Sequence, residues 1–136
     1  MFTLGQTYNR PSDIHDKFGG NRQSGISACS EHPSVFLFHT PKGERFGYKD
    51  GWISATEYLY SGEGQTGDME LVRGNKAIRD HVGDSRELHL FEKQENGLYR
   101  YAGRLYYHSH EIRQTKDVSG KPRKVIVFHL RKIENR

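Results

Sequence analysis

Residues 46–68 read FGYKDGWISATEYLYSGEGQTGD, placing Tyr48, Trp52, Tyr58 and Tyr60 around Asp50 before a glycine-rich loop. Large rings between turn-forming residues suit a strand, and residues 53–60 read as one. Tyr58 and Tyr60 share a face there because strand side chains repeat every second residue. Working outward, SVFLFHT (34–40) is a short continuous apolar run, the mark of a strand buried on both faces, and TPKGE turns the chain after it. Downstream, RELHLFEK, LYRYAGRLYYHSHEI and RKVIVFHLRKI form three more strands, separated by the turn sequences QENG and DVSGKP. FTLGQTY supplies a strand near the start, and NRQSGIS reads as a loop.

Helical signals are few. SDIHDKF can make one or two turns, capped by Ser12 or Asp13 and stopped by Gly19 and Gly20. Asp68 is a good N-cap for MELVRGNKAIRDHV, whose Met69, Val72, Ile78 and Val82 lie on one helical face. The pattern predicts an α+β fold, mostly β, with the sheets closing around a compact core.

The 136 residues suffice for one core, so residues 1–136 are expected to form a single domain. Only 33% of them are apolar, yet 12% are aromatic and 15 are glycine, so apolar area comes mainly from rings set between turns. No run approaches the roughly 18 apolar residues of a membrane span, and the first residues lack a basic stretch followed by an apolar one. With a single cysteine, Cys29, the expectation is a cytoplasmic protein in a reducing compartment, without membrane association. The net charge of +4 is unevenly spread: residues 1–68 carry six Lys/Arg and eight Asp/Glu, residues 69–136 fifteen and nine. A polyanion could dock on the basic second half, where KPRK (121–124) and LRK (130–132) stand out.

Catalytic readings find little support. His108 and His110 share a strand face, but two imidazoles do not complete a metal site and no cluster supplies the rest; no metal or other cofactor is expected. SGEGQTGD could bring backbone amides to an anion, but it lacks the Gly-Lys-Ser/Thr ending of a phosphate loop and carries Glu63 and Asp68. Cys29 has His32 three residues away and no further support as a nucleophile. HExxH, CxxC and GxSxG are all absent.

With catalysis unsupported, the aromatic block is the informative feature. YNRPSDIH, GGNRQSGIS, YKDGW, YSGEGQTGDM, GNKAIRDH and DVSGKPRKVIVFHL together resemble the SRA (SET-and-RING-associated) family, which binds modified cytosine. Within it they resemble the bacterial SRA-like domains ahead of HNH nucleases in modification-dependent restriction enzymes. The resemblance spans almost the whole chain, and its most specific part is the ordered run Tyr-Ser-Gly-Glu-Gly-Gln-x-Gly-Asp. It implies a PUA-like (SRA-like) β-barrel with short flanking helices.

The resemblance also implies a module that binds double-stranded DNA and flips 5-methylcytosine or 5-hydroxymethylcytosine into an aromatic pocket. Flipping costs a few kcal/mol, and base–aromatic stacking at roughly 1–3 kcal/mol per base offsets it. Tyr48 and Tyr60 match the family's two pocket tyrosines. Asp50 is the candidate for accepting a hydrogen bond from the cytosine amine, with Glu57 as a weaker alternative because ISATE departs from the family pattern. Ser61 offers its amide or hydroxyl to the base, and Trp52 lines the pocket, stacks, or packs beneath the loop; Tyr58 is left outside the pocket. Arg22, Gln23 and Ser24 fall in the family's duplex-insertion loop, where Arg22 or Gln23 fills the vacated position. Arg10, Arg73, Lys76 and basic residues of the last strand are candidate phosphate contacts. No catalytic residues are assigned, since an HNH unit has no motif here; a nuclease would be a fused or separate partner. Two rivals stay open: a PUA-like reader of modified RNA, and a small metal-dependent hydrolase using His108 and His110.

Overall fold

The computed structural model describes residues 2–29, 31–40, 50–64, 66–117 and 119–133. In chain order the elements are β1 (Thr7–Tyr8), a π-helical turn (Arg10–His15) continuing into α1 (Asp16–Phe18), β2 (Ile26–Ala28) and β3 (Ser34–His39). They are followed by β4 (Gly51–Trp52), β5 (Glu57–Ser61), α2 (Arg73–Asp80), β6 (Glu87–Lys93), β7 (Tyr99–Lys116) and β8 (Pro122–Lys132). The strands form one sheet in the order β2-β3-β6-β7-β8-β5-β4, with β1 pairing separately with β7. The β3–β6 pair is parallel and the other pairs are antiparallel.

The sheet curls because β7 serves two partners in turn. Its first part, Tyr99–Leu105, pairs with β6, and Leu105–Lys116 pairs with β8. Register shifts leave Ala102 and His108 as extra residues, and such bulges bend and twist the strand that carries them. The result is mostly β with short helices, as expected, and barrel-like in curl; the path stays open, with β2 and β4 at its ends.

Alternation along β3 builds two cores at once. Val35 and Leu37 point into the larger one with Tyr58, Tyr60, Ile78, Leu88, Leu90, Phe128 and Leu130. Phe36 and Phe38 point the other way, against Ile14, Phe91, Tyr99 and Tyr101, under the N-terminal helical turns. SVFLFHT is therefore buried on both faces, as its continuous apolar run predicts. Phe2 fills the second core edge-on, its ring 5.0 Å from Phe91 and 5.2 Å from Tyr8.

The structure corrects three local expectations. Only Thr7–Tyr8 of FTLGQTY is strand. The first helical turn is capped by Asn9, whose side chain accepts from the Ser12 amide, rather than by Ser12 or Asp13. The main helix starts at Arg73, not after Asp68. Asp68 is diverted to β8, where Oδ1 accepts from the Lys124 amide at 2.7 Å, and the Met69 amide donates to the Lys124 carbonyl at 2.9 Å. The predicted apolar face shrinks accordingly: Ile78 is buried, but Val72 and Val82 are exposed.

Candidate functional site

On β5 the sequence Tyr-Leu-Tyr alternates between cores, so Tyr58 and Tyr60 face inward while Leu59 packs outside with Val125 and Val127. The strand ends at Ser61, where the chain turns into the glycine loop. Asp50 reaches across to this point: its Oδ1 accepts from the Ser61 amide at 2.8 Å and from the Ser61 hydroxyl at 2.6 Å. Both Ser61 donors are thus committed to the carboxylate, fixing its orientation and leaving Oδ2 as its other acceptor. Oδ2 lies 3.9 Å from Nδ1 of His39, the last residue of β3. Sequence reasoning passed over His39, although an imidazole closing an otherwise apolar strand was a legible sign.

Tyr60 lies beside this acid and is 4% exposed. Its single hydroxyl proton is shared between the carbonyls of Gly25 at 2.9 Å and Phe38 at 3.1 Å, and burial pushes its ionisation well above the ordinary tyrosine range. Trp52 stands on the edge strand β4, exposed, with its ring edge-on to Tyr58 at 5.1 Å. Glu57 pairs with Arg131 at 3.3 Å, so its carboxylate is directed to β8. Tyr48 lies outside the described residues.

The loop after α1 is braced from within and from below. Asn21 Oδ1 accepts from the amides of Gln23 and Ser24, both at 2.8 Å. Arg22 is exposed and ion-paired to Asp16 at 2.5 Å, and Gln23 is exposed. Arg10 turns inward beneath the loop, donating to the Asn21 carbonyl at 3.0 Å and the Ser24 carbonyl at 2.6 Å, over the Phe38 ring at 3.6 Å. This internal engagement differs from the phosphate contact expected of Arg10.

An open cleft of about 800 Å³ runs alongside the loop. Asn21, Ser24, Ile26, Met69, Arg73 and Lys76 are among the residues that line it, so the structure brings Ser24, Arg73 and Lys76 to one groove. Arg86, just before β6, also lines it and was not among the expected contacts. Arg73 opens α2 with φ 49°, a left-handed conformation that a side-chain-bearing residue adopts only at a cost.

The glycine loop is a structural joint in which the helix N-terminus is capped from a distance. Glu63 Oε1 accepts from the Gly74 amide at 2.9 Å. Asn75, 1% exposed, accepts from the Glu63 amide at 2.8 Å and donates to the carbonyls of Glu63 at 3.0 Å and Glu70 at 2.9 Å. A Cβ at Gly62 would sit 2.8 Å from Oδ1 of the buried Asn75, and one at Gly74 would sit 2.9 Å from the Ile26 Cβ, so these positions favour glycine for close approach. Arg123 of the basic KPRK segment is buried here, donating to the Gly64 carbonyl at 2.6 Å. Lys124 next to it is exposed.

The His108/His110 pair separates into local bonds. The bulge leaves His108 exposed, with Nδ1 3.0 Å from the Ser109 hydroxyl, while His110 Nδ1 meets the Tyr107 hydroxyl at 2.6 Å. Among the described residues, no group of three or more His, Cys, Asp or Glu side chains is arranged to hold a metal ion. Burial raises the Cys29 thiol to about 11, and no helix among the described residues is long and apolar enough to cross a membrane.

Comparison with known proteins agrees with this architecture. No curated protein sequence matches the chain. The structure of the sulfur binding domain and SRA domain of ScoMcrA complexed with phosphorothioated DNA superposes with a TM-score of 0.77 at 24% identity, covering 99% of this chain and 41% of that one. The SUVH5 SRA domain in complex with hemi-methylated CG DNA gives a TM-score of 0.72 at 19% identity, covering 99% and 91%. The SUVH5 SRA domain bound to fully hydroxymethylated CG DNA gives 0.69 at 18%, covering 98% and 90%. The chain therefore spans less than half the length of the ScoMcrA chain it matches. Its sequence matches the family described as "ScoMcrA-like, SRA domain" over residues 4–136, so the chain belongs to the SRA-domain family of the ScoMcrA-like type.

Proposed function

We propose that this domain reads modified cytosine, 5-methylcytosine or 5-hydroxymethylcytosine, in double-stranded DNA by flipping the base into a pocket beside β5. The observation that carries this reading is the Asp50–Ser61 bond pair next to Tyr60: a carboxylate held by two donors presents a fixed acceptor to an exocyclic amine. In this reading Tyr60 forms the inner wall, Trp52 the outer rim and Tyr48 the opposing ring. Gln23, on the braced loop, enters the position the base vacates. Arg73, Lys76 and Arg86 receive phosphates along the cleft, which positions the duplex without selecting its sequence. The SRA domains of similar fold, solved with phosphorothioated, methylated and hydroxymethylated DNA, support a role on modified duplex.

The domain acts as a recognition module rather than an enzyme, targeting a modification-dependent restriction nuclease whose HNH unit is fused or separate. Fluorescence anisotropy tests the reading at fixed salt, with one duplex carrying cytosine, 5-methylcytosine or 5-hydroxymethylcytosine at the same position, alongside the single strands and an RNA duplex. Tighter binding to one modified DNA duplex is the expected result and names the substituent. Equal binding to all duplexes reduces the domain to a phosphate-binding surface, and a preference for RNA or single strands replaces the reading.

A further inference from the structure

We propose that Arg10 is the positioning residue of the duplex-insertion loop, clasping its two ends from beneath so that its tip meets the duplex already shaped. The inference rests on the base-flipping reading above and adds a residue that holds the loop without touching DNA. The guanidinium is used on three sides. Its Nη2 donates to the carbonyls of Asn21 and Ser24, which flank the exposed Arg22–Gln23 tip. Its Nε donates to His15 Nε2 at 2.8 Å, and its face lies over Phe38. His15 is set for this: its Nδ1–H donates to the Gly19 carbonyl at 2.8 Å, which leaves Nε2 as the unprotonated acceptor that Arg10 requires.

The clasp also reaches the pocket. Phe38, beneath Arg10, gives its carbonyl to the Tyr60 hydroxyl, and that hydroxyl also holds Gly25, the residue after Ser24. The loop is thereby fastened at Asn21 and Ser24 by Arg10 and at Gly25 by the ring expected to face the flipped base. A loop ordered before binding loses less conformational freedom on insertion, so its contribution goes to extruding the base. Lysine keeps the charge but not the planar fork that serves two carbonyls and an imidazole together.

The test compares wild type with Arg10→Lys in three measurements: amide hydrogen exchange of residues 21–25 in the free protein, anisotropy with modified and unmodified duplexes, and fluorescence of 2-aminopurine placed beside the modified cytosine. We expect faster exchange across the loop, at least a tenfold fall in the preference for modified over unmodified duplex, and a weaker 2-aminopurine signal at saturating protein. If wild type discriminates and Arg10→Lys discriminates equally well, within twofold, the clasp is overturned while the base-flipping reading stands. If wild type does not discriminate, the reading fails and the clasp's role fails with it. Should Arg10→Lys not fold, Arg10→Gln, which keeps an amide donor but cannot serve both carbonyls and the imidazole, takes its place; an unchanged preference there overturns the proposal.

Discussion

Among single residues, Tyr60 and Arg73 make the sharpest experiments. Tyr60→Phe keeps the ring and removes a hydroxyl whose one proton is shared by two carbonyls, so it should cost about 1–2 kcal/mol of stability without emptying the core. Tyr60→Ala should cost about 3–5 kcal/mol and confound any binding measurement. Urea unfolding of both variants checks this ranking, and equal losses would remove the hydroxyl from the account. Arg73 sits at φ 49°, so Arg73→Gly should gain about 0.5–1 kcal/mol. The same change should weaken modified and unmodified duplexes alike and lower the salt slope of binding by about one. A loss confined to modified duplex would instead move Arg73 into the base pocket.

Among elements, α2 shows what local sequence conceals. Strands β3, β6, β7 and β8 were legible because burial pattern and turn residues are both local signals. The start of α2 was not: Asp68 has the chemistry of an N-cap, yet the Lys124 amide claims it, and the cap arrives from Glu63 eleven residues ahead of Gly74. The candidate site divides the same way. Family resemblance groups Tyr48, Asp50, Trp52, Tyr60 and Ser61, of which Asp50 and Ser61 are hydrogen-bonded in the fold, whereas the inward turn of Arg10 depends on carbonyls that only the fold brings near it. Asn75→Ala tests the joint before α2. It removes a buried side chain that serves three backbone groups, the Glu63 amide and the Glu63 and Glu70 carbonyls, and should cost about 2–3 kcal/mol, against about 1 kcal/mol for Glu63→Gln, which weakens only a charged cap. Thermal unfolding of the two variants decides whether Asn75 or Glu63 is the main tie.

For the whole molecule, buried neutral imidazoles should make stability fall in mild acid. Burial lowers His15, His81 and His89 below the ordinary histidine range, His89 to about 4. His89 is suited to the neutral form: its Nδ1 accepts from the Tyr101 hydroxyl at 2.7 Å while Nε2–H faces Glu87 Oε1 at 3.1 Å. Because the unfolded chain takes these protons first, their stabilisation is complete above about pH 6.5 and declines as pH falls toward about 4. His89, the most strongly lowered of the three, should contribute the largest share of that loss. Urea titrations between pH 7.5 and 4.5 should show the decline with proton uptake on unfolding, and a flat profile down to pH 5 would contradict it.

The order of strands also dictates when the chain can fold. β3 enters the sheet through β6, β5 through β8 and β1 through β7, so every earlier strand waits on residues beyond 86 for its long-range partner. The β2–β3 and β4–β5 pairs can form sooner, but isolated two-stranded units are marginal in water. A ribosome releasing this chain from its N-terminus therefore holds an unsealed, aromatic-rich nascent polypeptide until β8 emerges, and folding follows as one late, slow, non-local event.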